Sequence, residues 1–139
     1  MAEHRPRVVG FCCEKHAMDA VVLSSRSGRK IDASVRLVQV PCAGRVDGMH
    51  ILRALEDGAD AVFVLGCLEK NCYYDTGSIE GRKRVNYVKS MLAEAGVEQE
   101  RVEMFNVASS NAWMYPEVVS KMVEVAKRLG PIGRGGEER

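Results

Sequence analysis

Residues 61–65 read Ala-Val-Phe-Val-Leu and are followed directly by Gly66 and Cys67. A run that is apolar at every position is typical of a β-strand covered on both faces, as strands in parallel sheets are. Segments with helical apolar stripes lie on either side of it, at about Asp47–Asp57 and Ser78–Ala95. This stretch therefore predicts a parallel β-sheet with helices packed on both of its faces.

The rest of the chain repeats the same alternation of strand and helix. Further strands are predicted at Arg7–Phe11, Val35–Val40 and Val102–Val107, and further helices at Ala17–Ser25 and Ser110–Leu129. Because right-handed crossovers allow few topologies, we expect one three-layer α/β domain with a flavodoxin-like strand order 2-1-3-4. The domain is expected to cover residues 1–131, and residues 132–139 are expected to form a disordered polar tail.

Composition indicates an ordinary soluble globular protein. The chain has 139 residues, of which 46% are hydrophobic and 28% charged, and its formal net charge is +1. Such a charge does not favour a nucleic-acid partner, and no apolar run approaches the roughly 20 residues of a membrane span. The start of the chain, MAEHRPRVVGF, lacks an apolar signal core, so we expect a cytoplasmic location in which thiols stay reduced.

Five cysteines in such a chain favour metal binding or catalysis over disulfides. Cys12 and Cys13 follow the first predicted strand, Cys42 follows the second, Cys67 follows the third, and Cys72 lies five residues further on. The carboxyl ends of parallel strands share one edge of the sheet, about 4.8 Å apart, so these thiols can converge. Because side chains alternate along a strand, we expect Cys13 to face this site and Cys12 to be a core thiol. The predicted metal ligands are therefore Cys13, Cys42, Cys67 and Cys72.

The cysteine positions leave several alternatives open. Four thiols suit either a binuclear iron–sulfur cluster or a tetrahedral zinc ion, and the spacing here matches neither ferredoxin nor zinc-finger patterns. A metal-free pair of redox thiols and five unrelated core cysteines are the other possibilities. No Ser-His-Asp set, paired carboxylates or phosphate-binding glycine loop is recognisable, so the sequence predicts no substrate chemistry.

Glycine and basic residues accompany the predicted thiol site. Gly10, Gly44 and Gly66 flank cysteine positions and would let the backbone approach a bound group closely, with N–H groups aimed at sulfur. Arg45 is a nearby cation that would ease the reduction of a negatively charged cluster. The run Arg82-Lys83-Arg84 could act likewise, dock an acidic partner, or be a solvated helix face. Asp47 is expected to cap the second helix.

Several segments together match a known family. They are Gly10-Phe11-Cys12-Cys13, Pro41-Cys42-Ala43-Gly44-Arg45-Val46-Asp47, Gly58-Ala59-Asp60-Ala61, Gly66-Cys67 and Asn71-Cys72-Tyr73-Tyr74. On these segments the chain resembles the delta subunit of methyl-viologen-reducing hydrogenase over nearly its whole length. The chain departs from that family at His16, where a third cysteine often follows the first pair. Since four cysteines remain without this position, we expect His16 to be a bystander.

The resemblance implies a 2Fe–2S cluster and a non-catalytic role as an electron carrier. Electrons would pass from a hydrogenase, or from a formate dehydrogenase in its place, to the flavin-bearing subunit of heterodisulfide reductase. The resemblance therefore favours an iron–sulfur cluster over zinc at the predicted four-cysteine site. A structural zinc-binding interaction module and a thiol-redox protein remain the alternatives.

Overall fold

A computed structural model describes residues 5–14, 16–26, 34–66, 77–107 and 111–132. In chain order its elements are β1 Val8–Cys13, α1 His16–Arg26, β2 Val35–Val40, a first 3₁₀ helix Ala43–Arg45, α2 Gly48–Glu56, β3 Ala61–Gly66, α3 Gly77–Glu94, a second 3₁₀ helix Gln99–Arg101, β4 Val102–Asn106 and α4 Met114–Leu129. Strands and helices alternate, so the predicted α/β class is confirmed.

The four strands form one parallel sheet in the order β2-β1-β3-β4. This is the predicted 2-1-3-4 order. On one side of the central strand β1, Cys13 pairs with Val40 of β2, and on the other side Cys12 pairs with Leu65 of β3. The carboxyl ends of these strands therefore lie at one edge of the sheet, which is where we expected the cysteines to gather.

The helices cover the two faces of the sheet as two separate layers. Alternate residues of β3 point into different cores: Phe63 and Leu65 pack with α1 and α4, whereas Val62 and Val64 pack with α2 and α3. All of β3 is buried, as its continuous apolar sequence predicts. Within the described ranges, none of the helices combines the length and apolarity needed to cross a membrane.

The first strand is longer than predicted. It was expected to end at Phe11, with Cys12 and Cys13 following it, but β1 runs through Cys13. Pairing with β2 continues as far as the Cys13–Val40 pair, so both cysteines have the extended backbone of the strand. The two thiols therefore have fixed and different orientations, which residues in a loop after the strand would not have.

The last helix begins later than predicted. Its expected start, Ser110, lies outside the described residues, and α4 begins at Met114. Pro116 explains the difference, because proline has no N–H and is tolerated in the first turn of a helix but not in its interior. The carbonyl of Ala112 instead accepts the N–H of Tyr115 at 3.1 Å. The other predicted boundaries agree with the structure to within one residue.

The two short 3₁₀ helices given above for the described residues were not predicted from the sequence. Each has three residues, which is too short for a hydrophobic period to develop. The first lies between β2 and α2, directly after Cys42.

The expected polar tail, residues 132–139, lies almost wholly outside the described residues. Its first residue, Ile132, is described and packs half-buried against the core beneath α2 and α3.

Candidate metal centre

Cys13 is the last residue of β1, and its side chain is 1% exposed. Its Sγ lies 3.9 Å from the carbonyl oxygen of Pro41, the residue that precedes Cys42. The edge of the sheet therefore brings Cys13 against the segment that carries Cys42, although the two residues are distant in sequence. The ends of the first two strands are neighbours in the sheet, as the predicted strand order requires.

Cys42 has a defined local environment at the start of the first 3₁₀ helix. Its backbone is extended (φ −161°, ψ 145°), its side chain is 5% exposed, and its Sγ accepts the N–H of Gly44 at 3.3 Å. A backbone N–H that donates to sulfur favours the thiolate, which is the form that binds metal. This thiol is therefore held in place by its own turn and is oriented by Gly44.

Cys12 lies in the same core as Cys13, but its sulfur has different neighbours. It is fully buried in the core shared by β1, α1 and α4, and its Sγ lies 3.8 Å from Sδ of Met18. Tyr115 of α4 lies in the same core, where burial, and to a smaller extent Cys12, raises the pKa of the phenol to about 12. The Cys12 side chain thus points into the helix layer formed by α1 and α4.

The remaining predicted site residues fall on both described and undescribed parts of the chain. Gly66 ends β3, and its carbonyl accepts the N–H of Val107 at 2.9 Å, so this strand end is tied to β4. Arg45 ends the first 3₁₀ helix, three residues after Cys42. Cys67 and Cys72, which complete the predicted ligand set, lie outside the described residues. His16, the expected bystander, is the first residue of α1.

The three basic residues of the run Arg82-Lys83-Arg84 on α3 make different contacts. Arg82 donates a hydrogen bond to the side-chain oxygen of Asn106, the last residue of β4. Arg84 donates to the carbonyl oxygen of Gly44, whereas the side chain of Lys83 is 70% exposed and lies 3.8 Å from Glu80. Two of the three cations therefore contact segments at the carboxyl edge of the sheet. Sequence spacing did not indicate this division, because the partners are distant along the chain.

Asp47 caps α2, as predicted. Its Oδ1 accepts the N–H of Met49 at 3.0 Å, while its own N–H donates to Nδ1 of His50 at 3.0 Å. This reciprocal pair is a capping box in which a histidine takes the place usually held by Glu or Gln. Asp47 and His50 are therefore engaged at the helix terminus, immediately after the Cys42 segment.

The segment that carries Cys42 lies near the molecular surface. A groove of about 450 Å³ opens between α2 and α3, and Gly44 and Arg84 form part of its lining. The exposed side chains of Met49 and Tyr87 also line it. The thiol of Cys42 is thus shielded from water, while the turn around it borders an accessible surface.

The described donors fit a cluster or ion bound by cysteines. Two buried thiols, Cys13 and Cys42, come from neighbouring strand ends, and one of them accepts a backbone N–H. Such soft sulfur donors suit iron–sulfur clusters and zinc. In the described ranges no group of three His, Cys, Asp or Glu side chains comes together. The other two predicted donors, Cys67 and Cys72, both fall in the segment 67–76 that follows Gly66.

The chain is similar in sequence to iron-sulfur subunits of hydrogenases. The iron-sulfur subunit of the F420-non-reducing hydrogenase vhu from Methanococcus maripaludis is 39% identical over 131 residues, covering 94% of this chain and 96% of that protein. The corresponding protein from Methanopyrus kandleri is 42% identical over 125 residues, covering 90% of this chain and 95% of that protein.

A further similarity is to part of a much longer protein. The chain is 27% identical over 128 residues to a component of the ferredoxin/F420H2-dependent CoB-CoM heterodisulfide reductase of Methanosarcina acetivorans, and the match covers 92% of this chain and 16% of that protein. The family model for the methyl-viologen-reducing hydrogenase delta subunit matches residues 8–130, which include all four strands and all five cysteines. The chain therefore belongs to the methyl-viologen-reducing hydrogenase delta subunit family.

Proposed function

We propose that this chain is an electron-transfer subunit that carries a 2Fe–2S cluster on Cys13, Cys42, Cys67 and Cys72. The observation that carries the proposal is the pair of buried thiols at neighbouring strand ends, one of which accepts the Gly44 N–H. A bound cluster would supply one-electron chemistry at this edge. The names of the relatives, which are iron-sulfur subunits of hydrogenases, support the choice of cofactor.

The orientation of the first two cysteines supports Cys13 rather than Cys12 as the ligand. Cys13 contacts the carbonyl of Pro41, next to Cys42, whereas the sulfur of Cys12 lies beside Met18 in the α1 and α4 core. Both residues belong to the core shared with α1 and α4, so the contacts of the two sulfurs, and not burial, carry this preference. Cys12 therefore acts as a core thiol in this proposal.

The residues around the ligands are proposed to favour the reduced state. The N–H of Gly44 would compensate negative charge on the Cys42 sulfur. Gly66 ends β3 and, having no side chain, would let the backbone approach a bound cluster closely. Arg45 follows Cys42 at the end of the first 3₁₀ helix and would add a nearby positive charge. The role that we propose for these groups is therefore electron transfer without catalysis.

The proposed partners are a hydrogenase, or a formate dehydrogenase as the electron donor, and the flavin-bearing subunit of heterodisulfide reductase as the acceptor. The similarity to a segment of heterodisulfide reductase proteins supports this pairing, because a stretch like this chain occurs within the longer polypeptide of that enzyme. Since cysteine ligands must stay reduced to bind iron, the proposal places the complex in the cytoplasm.

A set of single substitutions tests the ligand assignment. Cys13→Ser, Cys42→Ser, Cys67→Ser and Cys72→Ser should each lose most of the bound iron and alter the electron paramagnetic resonance spectrum of the reduced protein. Cys12→Ala is the matched control, because it removes an adjacent buried sulfur without adding a polar group to the core. It should keep the full iron content.

The opposite pattern would reassign the site. Iron lost from Cys12→Ala and kept in Cys13→Ser would make Cys12 the ligand and refute the orientation argument. Iron kept in all four serine variants would refute the proposed ligand set. Circular dichroism of each purified variant checks that the fold is retained.

A further inference from the structure

One face of α3 is fitted closely to the first 3₁₀ helix. Gly81 is buried there, and a Cβ atom at this position would lie 2.9 Å from the carbonyl oxygen of Ala43 and 3.2 Å from its Cβ. Real Cβ atoms essentially never come nearer than about 3 Å to another residue, so only glycine allows this approach. The packing of α3 thus fixes the position of the turn that begins at Cys42.

Arg84 lies one helical turn after Gly81, on the same face of α3. Its guanidinium donates to the carbonyl oxygen of Gly44 and lies 3.5 Å from the carbonyl oxygen of Val46. These carbonyls flank Arg45 at the end of the first 3₁₀ helix, where a cation is favoured. Arg84 therefore joins α3 to the far end of the same turn.

Gly44 connects this contact to the Cys42 sulfur. The carbonyl of Gly44 accepts from Arg84, while its N–H donates to Sγ of Cys42 at 3.3 Å. A glycine would otherwise have wide conformational freedom at this position. Because Arg84 holds the Gly44 carbonyl, Gly44 has fewer conformations available, and its N–H stays directed at the Cys42 sulfur.

We propose that Arg84, packed through Gly81, is a positioning residue for Cys42: it holds the Gly44 N–H on the thiolate and raises the reduction potential of the cluster. The effect on potential rests on the function proposed above. An N–H···S bond and a nearby cation both stabilise the more negative, reduced state. Arg84 does not contact the Cys42 sulfur itself in this account; it acts through Gly44.

Lys83 provides a matched control for the charge. It carries the same charge as Arg84 and is adjacent to it, but its side chain is 70% exposed and lies near Glu80. Arg84→Met and Lys83→Met therefore remove one positive charge each, and only the first removes the contact with Gly44. Arg84→Lys keeps the charge and a donor but loses the planar guanidinium, so its effects should be intermediate.

The first measurement uses the protein without bound metal. Hydrogen exchange of the Gly44 amide reports directly on the N–H···S bond. Arg84→Met should speed the exchange of the Gly44 amide about tenfold, which corresponds to a change of about 1.4 kcal/mol in the free energy of opening this hydrogen bond. Lys83→Met should leave the exchange unchanged. This readout decides the positioning role whether or not the protein binds a cluster.

The second measurement is a dithionite titration of the anaerobically loaded protein, followed by electron paramagnetic resonance. Arg84→Met should have a more negative reduction potential than wild type and than Lys83→Met. Equal reduction potentials in Arg84→Met and Lys83→Met would mean that only the overall charge matters. This result would overturn the claim that the contact of Arg84 with Gly44 raises the potential. Equal Gly44 exchange in wild type and Arg84→Met would overturn the positioning role itself.

A second variant covers the case in which Arg84→Met fails to fold. Gly81→Ala favours the helical conformation of α3, yet its new Cβ pushes against Ala43. If the fit between α3 and the turn holds Gly44, this variant should exchange the Gly44 amide faster while the protein stays folded. Unchanged exchange in a folded Gly81→Ala protein would contradict the proposal.

A wild-type protein that takes up no iron and sulfide would refute the proposed function. The exchange experiment would still decide the positioning role, so the two failures can be told apart.

Discussion

Tyr115 lies in the core that also contains Cys12. Its side chain is 2% exposed, and burial, with a smaller effect of Cys12, raises the pKa of its phenol to about 12. A raised pKa means that the folded state favours the neutral phenol over the phenolate. The corresponding contribution to stability is complete below pH 10, the ordinary pKa of tyrosine, and is lost as the pH rises from about 10 to about 12.

Tyr115→Phe should remove this alkaline loss of stability. The measurement is the free energy of unfolding in urea at intervals between pH 9 and about 12, compared between wild type and variant. We expect the difference between the two proteins to shift in favour of the variant as the pH rises through this window. Tyr87→Phe, which removes an exposed phenol, is the control and should keep the wild-type pH dependence. A constant difference between wild type and Tyr115→Phe would contradict the assignment.

The sequence shows which residues lie near the predicted site more readily than it shows what each residue does there. Gly10 was expected to make room beside the cysteines, but the space over it is filled by the ring of Phe63, whose Cζ would lie 2.4 Å from an added Cβ. Strand alternation predicted Cys13 rather than Cys12 as the ligand, whereas the structure places both residues in the core shared with α1 and α4. The contact of Arg84 with Gly44 has no local signal, because it joins residues 40 positions apart.

The junction between β2 and α2 is the element that holds Cys42. Cys42 caps the first 3₁₀ helix, which ends at Arg45, and Asp47, two residues further on, caps α2. The Asp47 carboxylate accepts the N–H of Met49 and so fixes where α2 begins. Loss of this cap should loosen the start of α2 next to the turn.

Asp47→Ala should lower the free energy of unfolding by about 1 kcal/mol, the usual cost of losing a helix cap. Urea denaturation of the metal-free protein measures this cost. Asp47→Asn keeps a side-chain oxygen acceptor and should lose much less. Equal losses in both variants would show that the charge of Asp47, and not its hydrogen bond, stabilises the junction.

Elements with a long hydrophobic period were predictable, and short ones were not. The stripe of α4 and the continuous apolar run of β3 each extend over enough residues for the pattern to be recognised. The first 3₁₀ helix has three residues, and the end of β1 depends on pairing with β2 and β3 rather than on its own sequence. Pro116 does carry a signal for the start of α4, because proline is tolerated in the first turn of a helix and not in its interior.

At the scale of the whole molecule, the parallel sheet brings Cys13 next to the segment that carries Cys42. Cysteines that are far apart in sequence reach one edge because all four strands run in the same direction, with β1 between β2 and β3. Topology of this kind follows from the alternation of strands and helices, so the edge could be predicted from the sequence. The choice between iron and zinc could not, because four thiolates suit both metals.

Anaerobic determination of metal and sulfide in the purified chain tests whether the protein carries a 2Fe–2S cluster. We expect a coloured protein with about two iron and two acid-labile sulfide per chain, and an electron paramagnetic resonance signal on reduction. A colourless protein that holds about one zinc and no sulfide would contradict it, and would make the thiols at the edge of the sheet a structural zinc site.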